Sequence, residues 1–148
     1  MNNEVIFDKY NFSDVKNIFF RLFHYWKSLL WTGVILYLCL LPANEVNKID
    51  ILKFNNADKL VHFSMYYILS FVFLYDWFSA RKVNYTKTIT LFLFPLIITL
   101  VLGGSIELIQ YYFIDSRDGS YFDMLANITG MLLGTLSFLL FLRYRKIS

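Results

Sequence analysis

Residues 55–71 read NNADKLVHFSMYYILSF. A run apolar enough for a membrane helix begins here, yet Asp58, Lys59 and His62 stand at its mouth. The run continues to about residue 78, and three more stretches share its character: 26–43, 89–110 and 123–142. Each has about 18–22 residues, the length an α-helix needs to cross roughly 30 Å of hydrocarbon. The expected fold is all-α: a four-transmembrane-helix bundle over residues 26–142. The first stretch has the shortest purely apolar part and is extended at its start by Tyr25 and Trp26 at the interface. Composition agrees. The 148 residues are 57% hydrophobic and 20% aromatic with mean hydropathy +0.50, above the roughly half-apolar content of soluble domains.

One cysteine, Cys39, lies in an apolar run and reads as a small buried side chain. The net charge of +3 is mild, but the basic residues are unevenly placed. Ten of the fourteen fall before or at the very start of the first stretch, between the second and third, or after the fourth. The other four are Lys48, Lys53, Lys59 and Arg117. Positive residues stay on the cytoplasmic side, so both termini are expected there. No cleaved leader is expected, because about 25 mixed residues precede the first stretch. Within residues 1–25, Ser13 can cap a helix, and Val15, Ile18 or Phe19, Leu22 and Trp26 recur at helical spacing. This predicts an amphipathic helix on the anionic cytoplasmic leaflet. Residues 143–148 read as a short basic tail.

That topology gathers the costly residues. Asp58, Lys59 and His62 open the second span, Glu107 and Gln110 close the third, and Asp123 and Asn127 open the fourth, with Arg117 in the loop between the last two. All fall on the outer side. Asp58 and His62 are four apart and share a face. Gly103, Glu107 and Gln110 form one stripe, and Asp123, Asn127, Gly130 and Gly134 another. The glycine pair is a small-xxx-small pattern that permits close helix packing. The stripes are expected to face the bundle interior, since lipid-facing placement would leave polar groups unpaired. Each residue also has a plain structural explanation. Asp58 suits the helix dipole, Ser120 and Asp123 resemble a capping box, and His62 and Asn127 can be interhelical hydrogen-bond partners. Glu107 interrupts a long apolar helix and needs a partner, most simply Arg117 or His62. Asp76 and Trp77 read as closing the second span at the cytoplasmic interface, and the many Phe and Tyr as lipid contacts. No zinc, Walker or dinucleotide motif is present, and basic residues that flank spans do not suggest nucleic-acid binding.

In order and spacing, DKLVHFSMYY (58–67), SIELIQYYF (105–113), Arg117 and DMLANITG (123–130) resemble the pattern D-K-x-x-H-F, E-x-x-Q, R, D-x-x-x-N-x-x-G of the VanZ-like family of small bacterial membrane proteins. The likeness covers residues 43–134. It implies an envelope location and, through founding members, an effect on susceptibility to the glycopeptide teicoplanin. The family name carries a phenotype rather than a reaction.

Three functional classes remain open at this stage. As an enzyme, the chain would be a hydrolase or transferase acting on a phosphorylated lipid. Lys59 and Arg117 would bind the anion, His62, Glu107, Asp58 and Asp123 would be the catalytic groups, and Gln110 and Asn127 would orient. As a binding protein, it would hold a lipid headgroup or a lipid-linked cell-wall precursor. As a structural protein, it would use the polar cluster only to brace the bundle. No cofactor is expected; the donor set of Asp58, His62, Glu107 and Asp123 is compatible with a divalent cation but does not require one.

Overall fold

The computed structural model describes residues 23–41, 56–81, 90–114 and 120–147. These form four helices and, among the described residues, no strand: α1 (Trp26–Leu40), α2 (Ala57–Arg81), α3 (Thr90–Phe113) and α4 (Tyr121–Ile147). The amphipathic helix expected before residue 26 and the loop carrying Arg117 lie outside the described residues. Three segments, Ala57–Ala80, Leu93–Phe113 and Tyr121–Arg145, are long and apolar enough to cross a membrane.

The first helix is shorter than its expected span. It has 15 residues, or about 22 Å of axial rise. It stops before Pro42, and Leu41 is already extended at φ −65° and ψ 136°, as the clash with a following proline ring demands. The other three outrun their expected bounds. α4 continues through Arg143 and Arg145, so the basic end is the last turns of a helix rather than a tail. No Gly or Pro interrupts it there, and cations favour a helix C-terminus. At the start of α2, Asn56 takes a left-handed φ of 63°, a conformation that Asn tolerates better than most residues.

α2 lies at the centre and packs against the other three helices. Its contact with α4 is the closest. His62 pairs with Asn127 and Ser70 with Thr135, both 65 residues apart, so the two helices run parallel and in register. Gly130 and Gly134 allow this. A Cβ at Gly130 would collide with the Phe63 carbonyl oxygen, and one at Gly134 with that of Tyr67. Hydroxyl bonds line the seam: Ser70 to Thr135 at 2.8 Å and Tyr67 to Ser137 at 2.9 Å. Phe71 and Phe78 then pack against Phe138 below the glycines. Residue pairs of α3 and α2, such as Gly103 with Tyr66 and Phe94 with Trp77, show these helices to be antiparallel.

α1 has no side-chain cap of its own at its start. Its first turn is closed from α2. Asp76, fully buried, accepts hydrogen bonds from the Ser28 backbone N–H (3.0 Å) and the Ser28 hydroxyl (2.7 Å), and pairs with the Lys27 ammonium (3.2 Å). A carboxylate on unsatisfied first-turn amides is favoured by hydrogen bonding and by the helix dipole together. At the other end, Gln110 Nε2 donates to the Cys39 carbonyl at 2.7 Å, one of the last-turn carbonyls that lack an intrahelical partner. Trp31 Nε1 bonds the Met65 carbonyl at 2.9 Å between them. Cys39 is buried beside Ile35, Met65 and Tyr66, as its apolar setting suggested.

Two expectations follow for thermal unfolding of the detergent-solubilised chain. Gly130→Ala lowers stability by about 1–3 kcal/mol through overpacking. Gly104→Ala, where a Cβ meets nothing within 4 Å, is neutral or gains up to ~1 kcal/mol of helix propensity. Equal effects at both positions would show that the α2–α4 approach is not tight. Asp76→Ala costs about 2–3 kcal/mol, because it leaves buried first-turn donors unmatched; a loss below half of that would remove Asp76 as the cap of α1.

Candidate functional site

The end of the bundle where α2 and α4 begin and α1 and α3 finish gathers most of the sequence candidates. α2 supplies His62, α3 Glu107 and α4 Asn127, each under 9% exposed. Asn127 links the other two. Its Nδ2 donates to Glu107 Oε1 at 3.2 Å, and its Oδ1 meets His62 Nδ1 at 3.1 Å. Because Asn127 presents an oxygen to the ring, Nδ1 carries the proton and donates. The same nitrogen lies 3.6 Å from Glu107 Oε1, so a proton on this ring faces a carboxylate directly. His62 is thus the partner of Glu107 anticipated from the sequence.

The rest of the glutamate is not matched. Glu107 Oε2 is buried with no hydrogen-bond partner among the described residues. The Ser120 backbone amide approaches the carboxyl without giving Oε2 a bond of ordinary geometry. Burying a polar oxygen in this way is costly, and native interiors rarely do so without a reason. A second such atom belongs to a residue one turn deeper in the bundle. Tyr66, one helical turn beyond His62 on α2, is 1% exposed, and its Oη also has no hydrogen-bond partner among the described residues. Its ring lies against Gly103, where a Cβ would come within 3.1 Å of Cε1 and 3.3 Å of Oη. Gly103 is one turn from Glu107 on α3, and the Tyr66 hydroxyl lies within electrostatic reach of both Glu107 and Cys39.

The remaining candidates divide. Asp123 is buried, and its carboxylate lies 3.9 Å from Lys59 Nζ. Asp58 does not join His62 despite their four-residue spacing. It is exposed and pairs with Lys59 at 3.0 Å. The 65-residue register sets Asp58 level with Asp123. Two carboxylates at one level repel, and the Lys59 ammonium lies between them. Lys59 is therefore shared between two acids. Gln110 turns its amide Nε2 to the Cys39 carbonyl at the finish of α1. Arg117, the other anticipated anion-binding residue, lies outside the described residues. At the start of α4 the Ser120 hydroxyl accepts the Phe122 N–H at 3.2 Å, the capping role its position suggested. Among the described residues, no three His, Cys, Asp or Glu side chains are grouped to hold a metal ion.

Two residues escaped the sequence reading. Tyr66 was lost among eleven tyrosines and sixteen phenylalanines, where one more aromatic reads as lipid contact. Its only signal was the four-residue step from His62. Asp76 looked like an interfacial charge, and nothing in the sequence announced that another helix would begin against it. Compared with known proteins, the chain matches no family model, no curated protein and no solved structure.

Substitutions separate cluster from mouth. Asn127→Leu strips Glu107 and His62 of their shared partner and lowers stability by about 1–3 kcal/mol, whereas Asp58→Ala stays within about 0.5 kcal/mol. Comparable losses in thermal unfolding would contradict this division.

Proposed function

We propose that this chain is an integral membrane protein of the bacterial cell envelope whose polar end faces outward and binds, or acts on, a lipid headgroup or lipid-linked cell-wall precursor. The observation that carries the reading is Glu107 Oε2, buried and without a hydrogen-bond partner among the described residues. A network built only to brace the bundle would satisfy both oxygens of its central carboxylate. A site that receives a ligand would leave one for it.

The membrane part of the proposal rests on three long apolar helices and on the girdles at their ends. Tyr111, Tyr112, Phe113, Tyr121 and Phe122 are exposed around the site end, and Trp26 and Tyr144 near the other. Exposed aromatics at two levels suit the two interfaces of a bilayer. α1 is the fourth span in this reading. Its start is held by Asp76 near the finish of α2 and its finish by Gln110 near that of α3, so it runs between the two ends of the bundle. The distribution of basic residues supports cytoplasmic termini. The likeness to the VanZ-like pattern supports the envelope setting and an effect on teicoplanin susceptibility.

A catalytic version uses the same groups: His62 and Glu107 would share a proton and pass it to or from a lipid bound at Oε2. The bracing alternative is favoured by the closed chain from His62 through Asn127 to Glu107, but it leaves Glu107 Oε2 and Tyr66 Oη unexplained. Native mass spectrometry of gently extracted full-length protein decides between occupancy and bracing. The wild type is expected to retain a membrane lipid that Glu107→Ala loses, with both proteins inserted to the same level. A wild type that carries no lipid would overturn the proposal and leave the cluster as bracing.

A further inference from the structure

The chemistry around Glu107 also specifies what kind of lipid the site would take. We propose that it receives the free hydroxyl of a lipid alcohol, a diacylglycerol-like head that donates a hydrogen bond to Glu107 Oε2, with Tyr66 Oη as a second partner of the same head. This rests on reading this end of the bundle as a lipid site, and three observations narrow the ligand class.

The first is the hydrogen-bond inventory. An ionised Glu107 only accepts, so a phosphate or carboxylate would set acceptor against acceptor. A hydroxyl donates to the ionised acid and can accept from the protonated one, and it fits either state. The Tyr66 phenol, donor and acceptor at once, suits the same group. Both atoms are buried and unmatched among the described residues, and Glu107 is 8% exposed.

The second is charge. Lys59 is engaged by Asp58 at 3.0 Å and by Asp123 at 3.9 Å. Among the described residues at this end, Lys59 is the only Lys or Arg side chain, and it is spent on two carboxylates. Among the described residues, an anionic head would meet Glu107 and Asp123 with no further cation to pair with.

The third is depth. Glu107 lies six residues before Phe113 and Asn127 five after Phe122, about 8–9 Å of helix rise inside the exposed aromatics. At that level, beneath the headgroups, a charged ammonium costs more to bury than a hydroxyl that keeps a hydrogen bond. Lipid alcohols lie at this depth, because they lack a charged head to hold them higher.

The test offers full-length protein, in micelles, equal amounts of 1,2-dioleoylglycerol, its 3-O-methyl ether, dioleoylphosphatidic acid and dioleoylphosphatidylethanolamine, and reads adducts by native mass spectrometry. The diacylglycerol adduct is expected to exceed the methyl ether by at least about tenfold, and to fall in Glu107→Gln and Tyr66→Phe. The wild-type comparison of alcohol with ether needs no variant, so a misfolded mutant cannot blur it. Equal retention of the ether, or preference for phosphatidic acid or phosphatidylethanolamine, overturns the lipid-alcohol assignment while the lipid site itself stands. Retention of none of the four overturns both.

Discussion

Gly130 and Gly134 set the backbone of α4 directly on the carbonyls of Phe63 and Tyr67, and the positions of the polar residues follow from that approach. In lipid, apolar side chains gain little by leaving one hydrocarbon environment for another. Helices associate through close packing and interhelical hydrogen bonds instead. The glycines provide the first, and the Ser70–Thr135 and Tyr67–Ser137 hydroxyl pairs the second. Once the two helices are locked in register, His62 and Asn127 must meet. Asn127 can then reach Glu107 on the antiparallel α3. The buried triad is a consequence of the glycine seam, not an independent feature.

α1 obeys a related constraint from the other direction. A helix of 15 residues with no cap of its own would leave amides and carbonyls unsatisfied in surroundings with few water partners. Two neighbours supply what its own sequence lacks: Asp76 of α2 at its start and Gln110 of α3 at its finish. Side chains that looked like an interfacial charge and a site amide thus hold α1 in place. The arrangement explains why Asp76 can be fully buried without a large penalty. Its two oxygens take three donors, one of them the partly exposed Lys27 ammonium.

Much of this was legible in the sequence, and the failures have definite causes. Hydropathy and length located the helices, since a run of about 20 apolar residues has few other uses. The glycine stripe predicted the tight seam because only Gly lets backbones touch. The i, i+3 and i, i+4 steps placed Glu107 and Asn127 inside. What periodicity cannot supply is level and partner. Asp58 shares a face with His62 by spacing, but the register of α2 against α4 opposes it to Asp123, and Lys59 draws it outward. Gln110 shares a stripe with Glu107, but it lies one turn nearer the end, where the unsatisfied object is the finish of α1. Both outcomes depend on the relative heights of two helices, which no single-helix pattern encodes.

The ionisable groups at the mouth of α2 therefore perform different work at different depths. Asp58 and Lys59 stand where water reaches them, and together with Asp123 they balance charge across the start of two parallel helices. His62, one turn further in, is committed to Asn127 and faces Glu107. Had the outer charges been free, attraction of ions from solution would have dominated this end. Among the described residues Lys59 is engaged by acids on both sides, and the directional groups lie beneath this paired outer layer. In the proposed lipid site, a carboxylate with one oxygen engaged and one unmatched among the described residues, with a phenol packed on Gly103 one turn deeper, would discriminate by hydrogen-bond geometry and depth. As a lipid site it would favour ligands that arrive through the bilayer over ions that arrive through water.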